Sequence, residues 1–223
     1  MKRCLLVAML ILLNGVAKAQ HKIPVISPQD KDQIEAQANI DVQNFCFYLS
    51  DLADKQTKTR QRDTLKAKLL RLFADSATIT VKPKPNDPGI EHPVLEYLTQ
   101  VANYNYRNKL NVVAITFDQI IVDVSPTNLV ETTINGQRAY VGKFSFLQHF
   151  RVQKEETAFV LAQAEVPVME KLTYLTEWGD DTRKYGKIII IPKKASARGA
   201  KYKVLLGDIT AGEVIMIKKK RIE

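Results

Sequence analysis

Apolar residues recur at three- and four-residue steps in the first half of this chain and at two-residue steps in the second. Ile34, Ala38, Val42, Phe45, Leu49 and Leu52 share one face of a helix predicted from about Asp30. The polar stretch Asp54 to Thr59 ends it. A second helix turns Leu65, Leu69, Leu72 and Phe73 inward and Arg60, Arg62, Lys66 and Arg71 outward. Ala77 to Val81 reads as a short strand. Lys82 to Gly89, with Pro83, Pro85 and Pro88, reads as a loop. A third helix begins near Pro93, a residue suited to a first turn, and presents Val94, Leu95, Leu98 and Val101.

From Asn111 the period is that of a strand. Val113, Ile115 and Phe117 share one parity; Ile120, Val122 and Val124 share the other. A phase slip of one residue near Asp118-Gln119 predicts a β-bulge that bends the sheet. Leu129 to Ile134 pairs with the chain from Arg138 across Asn135-Gly136, a dipeptide that favours the tight turn of a hairpin. In the next strand Tyr140, Gly142, Phe144, Phe146, Gln148, Phe150 and Val152 lie on one face, and Lys143, Ser145, His149 and Arg151 on the other. Residues 154–168 fit either a loop or a short helix. Leu172 to Trp178 and the β-branched run Lys187 to Ile191 read as strands. Asp180-Asp181, after Gly179, reads as an acidic turn. Lys201 to Ile209 and Glu213 to Ile217 are the last strands, with Gly207 and Gly212 as bulge or turn sites. Lys218 to Glu223 reads as a charged tail.

Helices first and then a long antiparallel run indicate an α+β fold, its helices on one side of a bent sheet. Residues 30–217 form the expected single domain. Residues 20–29, with Pro24 and Pro28, form a flexible lead-in, and residues 1–19 an export signal. Lys2 and Arg3 supply a positive start, Leu5 to Leu13 an uncharged apolar core, and Ala17-Lys18-Ala19 the small residues of a cleavage site. The apolar run is short for a bilayer, and Cys4 precedes it, where a lipoprotein cysteine cannot be. The expected location is therefore the periplasm or the medium. Cleavage removes Lys2, Arg3 and Lys18 and lowers the net charge from +9 to +6. That excess biases the protein toward anionic surfaces, but Lys66/Lys68/Arg71, Lys193/Lys194/Arg198 and Lys218 to Arg221 are dispersed. Cys46, alone after cleavage, reads as a buried apolar side chain between Phe45 and Phe47.

The Tyr140-Val141-Gly142-Lys143 strand start and the aromatic Phe146-Leu147-Gln148-His149-Phe150 strand resemble the NTF2-like (cystatin-like α+β cone) superfamily. Within it they resemble its secreted Bacteroidota members. Asp181-Thr182-Arg183-Lys184 and Leu206-Gly207-Asp208-Ile209 extend the resemblance. It implies helices packed on a strongly bent antiparallel sheet that leaves a cone with an open mouth. It says little about activity, because one cone hosts isomerases, dehydratases, transport factors and non-catalytic scaffolds. The resemblance implies that enzymes of this kind place an acid or a histidine inside the cone.

On the legible strand the inner face offers Tyr140, Phe144, Phe146, Gln148 and Phe150, and these are the pocket candidates. Gln148 is a poor general base but can orient a ligand or bond to backbone. Asp118 and Asp208 are the alternative acid/base candidates, with Tyr140 beside them; Asp123 fits turn chemistry as readily. His149 shares a face with Lys143 and Arg151, which reads as solvent or a packing edge. No spacing of His, Cys, Asp and Glu suits a metal, and no glycine loop or Gly-x-Ser-x-Gly elbow is present, so no cofactor is expected. Tyr104, Tyr106 and Arg107 match no nucleic-acid reader. The leading expectation is a non-catalytic envelope binding or scaffold module with an apolar pocket. Its partners would be a small apolar ligand or an envelope protein, a homodimer included. The alternatives are a small-molecule isomerase or hydrolase with a carboxylate at the cone mouth, and a polyanion-binding protein using Lys66, Arg71 and Lys193. Three or more titratable side chains converging in a deep pocket would count against the first.

Overall fold

The computed structural model describes residues 26–108, 112–161, 169–193 and 201–222. The export signal and most of the lead-in lie outside them. Helix α1 spans Pro28–Ala53, α2 Thr59–Leu72 and α3 Val94–Asn108. The strands are β1 Thr78–Val81, β2 Ile90–Pro93, β3 Val112–Asp123, β4 Val130–Ile134, β5 Gln137–Leu161, β6 Met169–Pro192 and β7 Tyr202–Ile222. The helices precede most of the sheet and pack on it, so the fold is α+β, as the order of periodicities predicts.

Helix α1 starts where its caps dictate. The Ser27 hydroxyl accepts from the Asp30 amide at 3.1 Å, and Pro28 fills a first-turn position whose missing N–H costs nothing. The lead-in therefore ends earlier than expected. Ile34, Ala38, Val42, Phe45, Leu49 and Leu52 are all buried against the sheet. Burying each large side chain contributes about 1.5–3 kcal/mol. The Ser50 hydroxyl also donates to the Ile115 carbonyl, tying α1 to β3. Cys46 is buried, and burial pushes its thiol up to about 12, which leaves it inert.

Two helical expectations fail. Arg62 is buried rather than exposed. Its guanidinium donates to the carbonyls of Ala102 and Asp54, each at 2.9 Å, and stitches α2 to α3 and to the end of α1. In α3 Leu95 faces solvent, and Tyr97 takes the inward place beside Val94 and Leu98. Pro93 belongs to β2, which hairpins onto β1 and displaces the helix start by one residue.

The sheet runs β2-β1-β7-β6-β5-β3, with β4 pairing the start of β5. Every pairing between these strands is antiparallel except the single contact of β1 with β7, beside which Phe73 makes a further parallel bridge to Leu206. The bend in β3 falls where the apolar phase slips. Register shifts between Asp118 and Ile121, and Gln119 takes a positive φ of 48°. Asn135 and Gly136, at φ 50° and 75°, form the β4–β5 turn. Both glycine sites on β7 are bulges, since one residue of β6 opposes two of β7 at Gly207 and again at Gly212.

The long strands are more continuous than the sequence suggests. Residues 154–161 extend β5 rather than forming a loop or helix, and they pair with 169–176. Gly179-Asp180-Asp181 is the middle of β6 rather than a turn. Lys218 pairs with Trp178, so the charged end continues β7 instead of trailing as a tail. Pairing on both sides overrides the turn propensity of Gly-Asp-Asp and the solubility of the lysine run. Among the described residues no helix is long and apolar enough to cross a membrane.

Candidate functional site

The concave face of the sheet carries a cavity of about 460 Å³, within the range of small-molecule sites. Its floor is the inner faces of β5 and β6. Alternation puts Gln148 and Phe150 on one column and Asp180, Thr182 and Lys184 on the next, with Gln148 opposite Thr182 and Phe150 opposite Asp180. Tyr97, Gln100, Val101 and Tyr104 of α3 form the roof, Val113 and Ile115 of β3 one wall. Val81, Lys82 and Pro83 close the far side, beside Trp178 and Met216.

The two columns can meet so closely because residue 179 is glycine. A Cβ there would lie 1.8 Å from the Phe150 carbonyl oxygen. Phe150 packs edge-on against Tyr104, with ring centroids 5.3 Å apart, which fixes the helix over the floor.

The polar groups of the cavity have distinct settings. The Thr182 hydroxyl donates to the Asp180 carboxylate at 2.6 Å. Burial nevertheless holds the Asp180 carboxyl above the usual carboxylate range, against the opposing pull of Thr182, Lys184 and Arg151. Lys184, only 4% exposed, donates from Nζ to the Thr80 carbonyl at 2.8 Å. Burial lowers its amine to about 8, although the charge of Asp180 acts the other way. Burial first, and the charge of Asp180 second, raise the hydroxyls of Tyr97 and Tyr104 above the ordinary phenolic value. Gln148 is 9% exposed and faces the same space. Among the described residues no hydrogen bond to its amide is present. A buried amide without a protein partner has its donors and acceptor available to a ligand or water.

Of the five pocket candidates, Gln148 and Phe150 line the cavity and the other three lie deeper. Phe146 is core, 1% exposed, ringed by Phe45, Phe117 and Phe144. Phe144 lies over Gly186, where an added Cβ would come within 2.2 Å of its ring. Tyr140 is buried beneath the Arg138 guanidinium, 5.2 Å from its ring centre.

The alternative acid/base candidates do not reach the cavity. Asp118 lies on the opposite face of the sheet, 3.2 Å from His149 Nε2. Asp208 accepts from the Thr78 amide at 3.2 Å and pairs with Lys187 at 2.9 Å, holding β1 to β7. His149 stands on the outer face with Lys143 and Arg151, as its parity predicts, and is partly exposed there, but it is held by carboxylates. It bridges Asp118 and Asp181, the latter at 2.8 Å and shared with Arg151, so it clasps β3, β5 and β6 beside the bulge. The partnership with Asp181 raises its pKa.

Sequence reasoning missed Asp180, Thr182, Lys184 and Tyr97. A signal was present: residues 178, 180, 182 and 184 share the parity of the buried Ile188 and Ile190. Polar residues on an inward parity look like a turn or an outer face when apolar character alone is taken to mark the inside. Among the described residues no cluster of His, Cys, Asp and Glu could hold a metal ion.

No family model matches the chain, and no curated protein matches it. Among solved structures it is similar to the Kfla4162 protein of Kribbella flavida. The identity there is 11% over 82% of this chain and 94% of that one, with a TM-score of 0.40. It is also similar to a Novosphingobium aromaticivorans protein described as "Putative Scytalone Dehydratase", at 9% identity over 85% and 90% of the two chains, TM-score 0.40. Likenesses of that size carry no argument about chemistry, which rests here on the side chains of the cavity.

Proposed function

We propose that the cone binds a small, largely apolar molecule bearing a polar group and moves a proton on it, as an isomerase-type enzyme does. One observation carries this reading: Asp180, Lys184, Tyr97 and Tyr104 converge with the unpartnered Gln148 on one apolar-walled cavity. A scaffold has no use for four titratable groups there, and burial shifts all four. A carboxyl raised toward neutrality can take a proton from carbon and return it to a neighbouring position. A buried, still protonated tyrosine and the Gln148 amide can donate hydrogen bonds to the oxygen on which charge develops. The apolar walls strengthen both effects by excluding water.

The export signal read in residues 1–19 supports a site of action in the periplasm or outside the cell. The polyanion alternative is less well supported, because Lys66 already pairs with Asp63 at 2.9 Å. A non-catalytic binding module keeps the same cavity and omits the proton transfer.

A panel of cyclic ketones in D2O separates these readings. Trp178 is the chain's single tryptophan and lines the cavity, so quenching of its fluorescence reports occupancy. Deuterium entry beside the carbonyl, read by proton NMR, reports proton transfer. Asp180→Asn should keep the quenching and slow exchange by on the order of 10²–10⁴. Binding without exchange in the unaltered protein would leave only the binding module, and a panel that does neither would remove the carbonyl version altogether.

A further inference from the structure

Lys184 is poorly explained as a structural lysine. A lysine ammonium carries three donors, and here one of them meets the Thr80 carbonyl. Among the described residues no carboxylate lies within ion-pair distance of Nζ, and no second hydrogen bond forms. Asp180 stands four positions earlier on the same strand face, roughly 13 Å away along the backbone at about 3.3 Å per residue. The Thr182 hydroxyl is turned to Asp180 rather than to the lysine. A buried cation held only by one carbonyl is a costly arrangement for stability alone. Lys82 lines the same cavity but is anchored at its rim, donating to the Gly212 carbonyl at 3.2 Å.

We infer that Lys184 is the nucleophile of the cavity, its Nζ forming an imine with a carbonyl group of the small molecule the cone admits. The inference rests on the reading of the cone as a small-molecule site. The chemistry balances with the groups present. An ammonium proton leaves to water, and the Nζ lone pair attacks the carbonyl carbon while the C=O π pair moves to oxygen. A second Nζ proton passes to that oxygen and gives a carbinolamine. The hydroxyl then departs as water, taking back from solvent the proton released in the first step, as the nitrogen lone pair closes the C=N bond. The products are water and a protonated imine, whose charge the Asp180 carboxylate on the same strand face partly offsets. Asp180 supports this because its charge favours the cationic form of the Lys184 nitrogen. Lys184 supports it because at pH 7 an amine titrating near 8 holds on the order of 10² times more of the neutral form than a surface lysine.

The test treats the full chain at pH 7 with benzaldehyde or cyclohexanone and sodium cyanoborohydride, which reduces an imine to a stable secondary amine. Peptide mapping should place the adduct on Lys184 at least about tenfold faster than on exposed Lys187. Lys184→Arg should abolish that adduct while Trp178 quenching by the same probes persists. Labelling spread evenly over surface lysines overturns the inference, as does an adduct undiminished in Lys184→Arg. If the arginine variant fails to fold, the wild-type peptide map decides alone. Benzoate provides the contrast. If benzoate quenches Trp178 and neither carbonyl probe labels Lys184, the lysine is a fixed cation for an anionic ligand. The imine then falls while the small-molecule site stands. If no probe quenches Trp178, both readings fall together.

Discussion

Replacing Gln148 with leucine tests the most exposed link between the cavity and its ligand. Leucine has nearly the same length and belongs in the surroundings that Phe146, Phe150 and Ile115 already provide. Had the amide been tied to the protein, each partner left unpaired would cost about 1–3 kcal/mol. Among the described residues it has no such partner, and it is 9% exposed, so its amide contacts only the contents of the cavity. The expected change in stability is therefore within about 0.5 kcal/mol, a melting shift under roughly 2 °C for a chain of this size. Phe146→Ala, one place along the same face, supplies the scale. That ring is 1% exposed and meets three other rings, so its loss should cost about 3–5 kcal/mol. Urea unfolding followed by Trp178 fluorescence and by circular dichroism measures both. Ligand binding read by Trp178 quenching should weaken in Gln148→Leu. A loss above about 1 kcal/mol with unchanged quenching would refute the reasoning, because it would make the amide a structural group.

Other consequences are as direct. Arg62→Met should destabilise by about 1.5–3 kcal/mol, the worth of charged hydrogen bonds to the Ala102 and Asp54 carbonyls, whereas exposed Arg60→Ala should change little; chemical denaturation compares them. Gly179→Ala should cost at least about 1–3 kcal/mol and broaden the amide resonances of β5 and β6, since its Cβ collides with backbone rather than with a flexible side chain. His149 has a folded pKa raised above 6.5. The stability its clasp contributes is full below 6.5 and disappears as pH rises through the higher folded value. Asp181 has a folded pKa below 3.8, so its share is present above 3.8 and disappears as pH falls through the lower value. The stability difference between wild type and His149→Gln should thus be greatest between these limits and shrink above neutrality, and imidazole NMR titration should return a value above that of a free histidine.

What could be read from the sequence was what apolar spacing encodes. The buried face of α1, the bulge at Asp118-Gln119, the Asn135-Gly136 turn and the inner parity of β5 all follow from where hydrophobic residues fall. What could not be read was polar residues placed inside. Charge alone assigns Arg62 to solvent, although three backbone carbonyls receive it. Asp180, Thr182 and Lys184 are hidden for the same reason, and Gly179 reads as a turn because the close approach of β5 that requires it is a tertiary fact. Leu95 and Tyr97 exchanged roles because helical spacing alone fits either as the inward residue, while the tyrosine ring can bury its body and keep its hydroxyl at the cavity.

The two bulges of β7 have a consequence for how its residues are counted. Before Gly207 the positions that face the helices are even, as at Leu206; between the bulges they are odd, at Ile209 and Ala211; after Gly212 they are even again, at Val214. The strand is thus read in two successive frameshifts that cancel. Removing the extra residue of the bulge at Gly212 would restore one-to-one pairing and leave Ala211 and Val214 both inward, at the cost of the local bend, whereas removing a residue from the regular stretch between Ile209 and Ala211 would turn the following residues to the other face. Single-residue length changes in this strand are therefore absorbed at the two bulges, each independently of the other, and nowhere else along it.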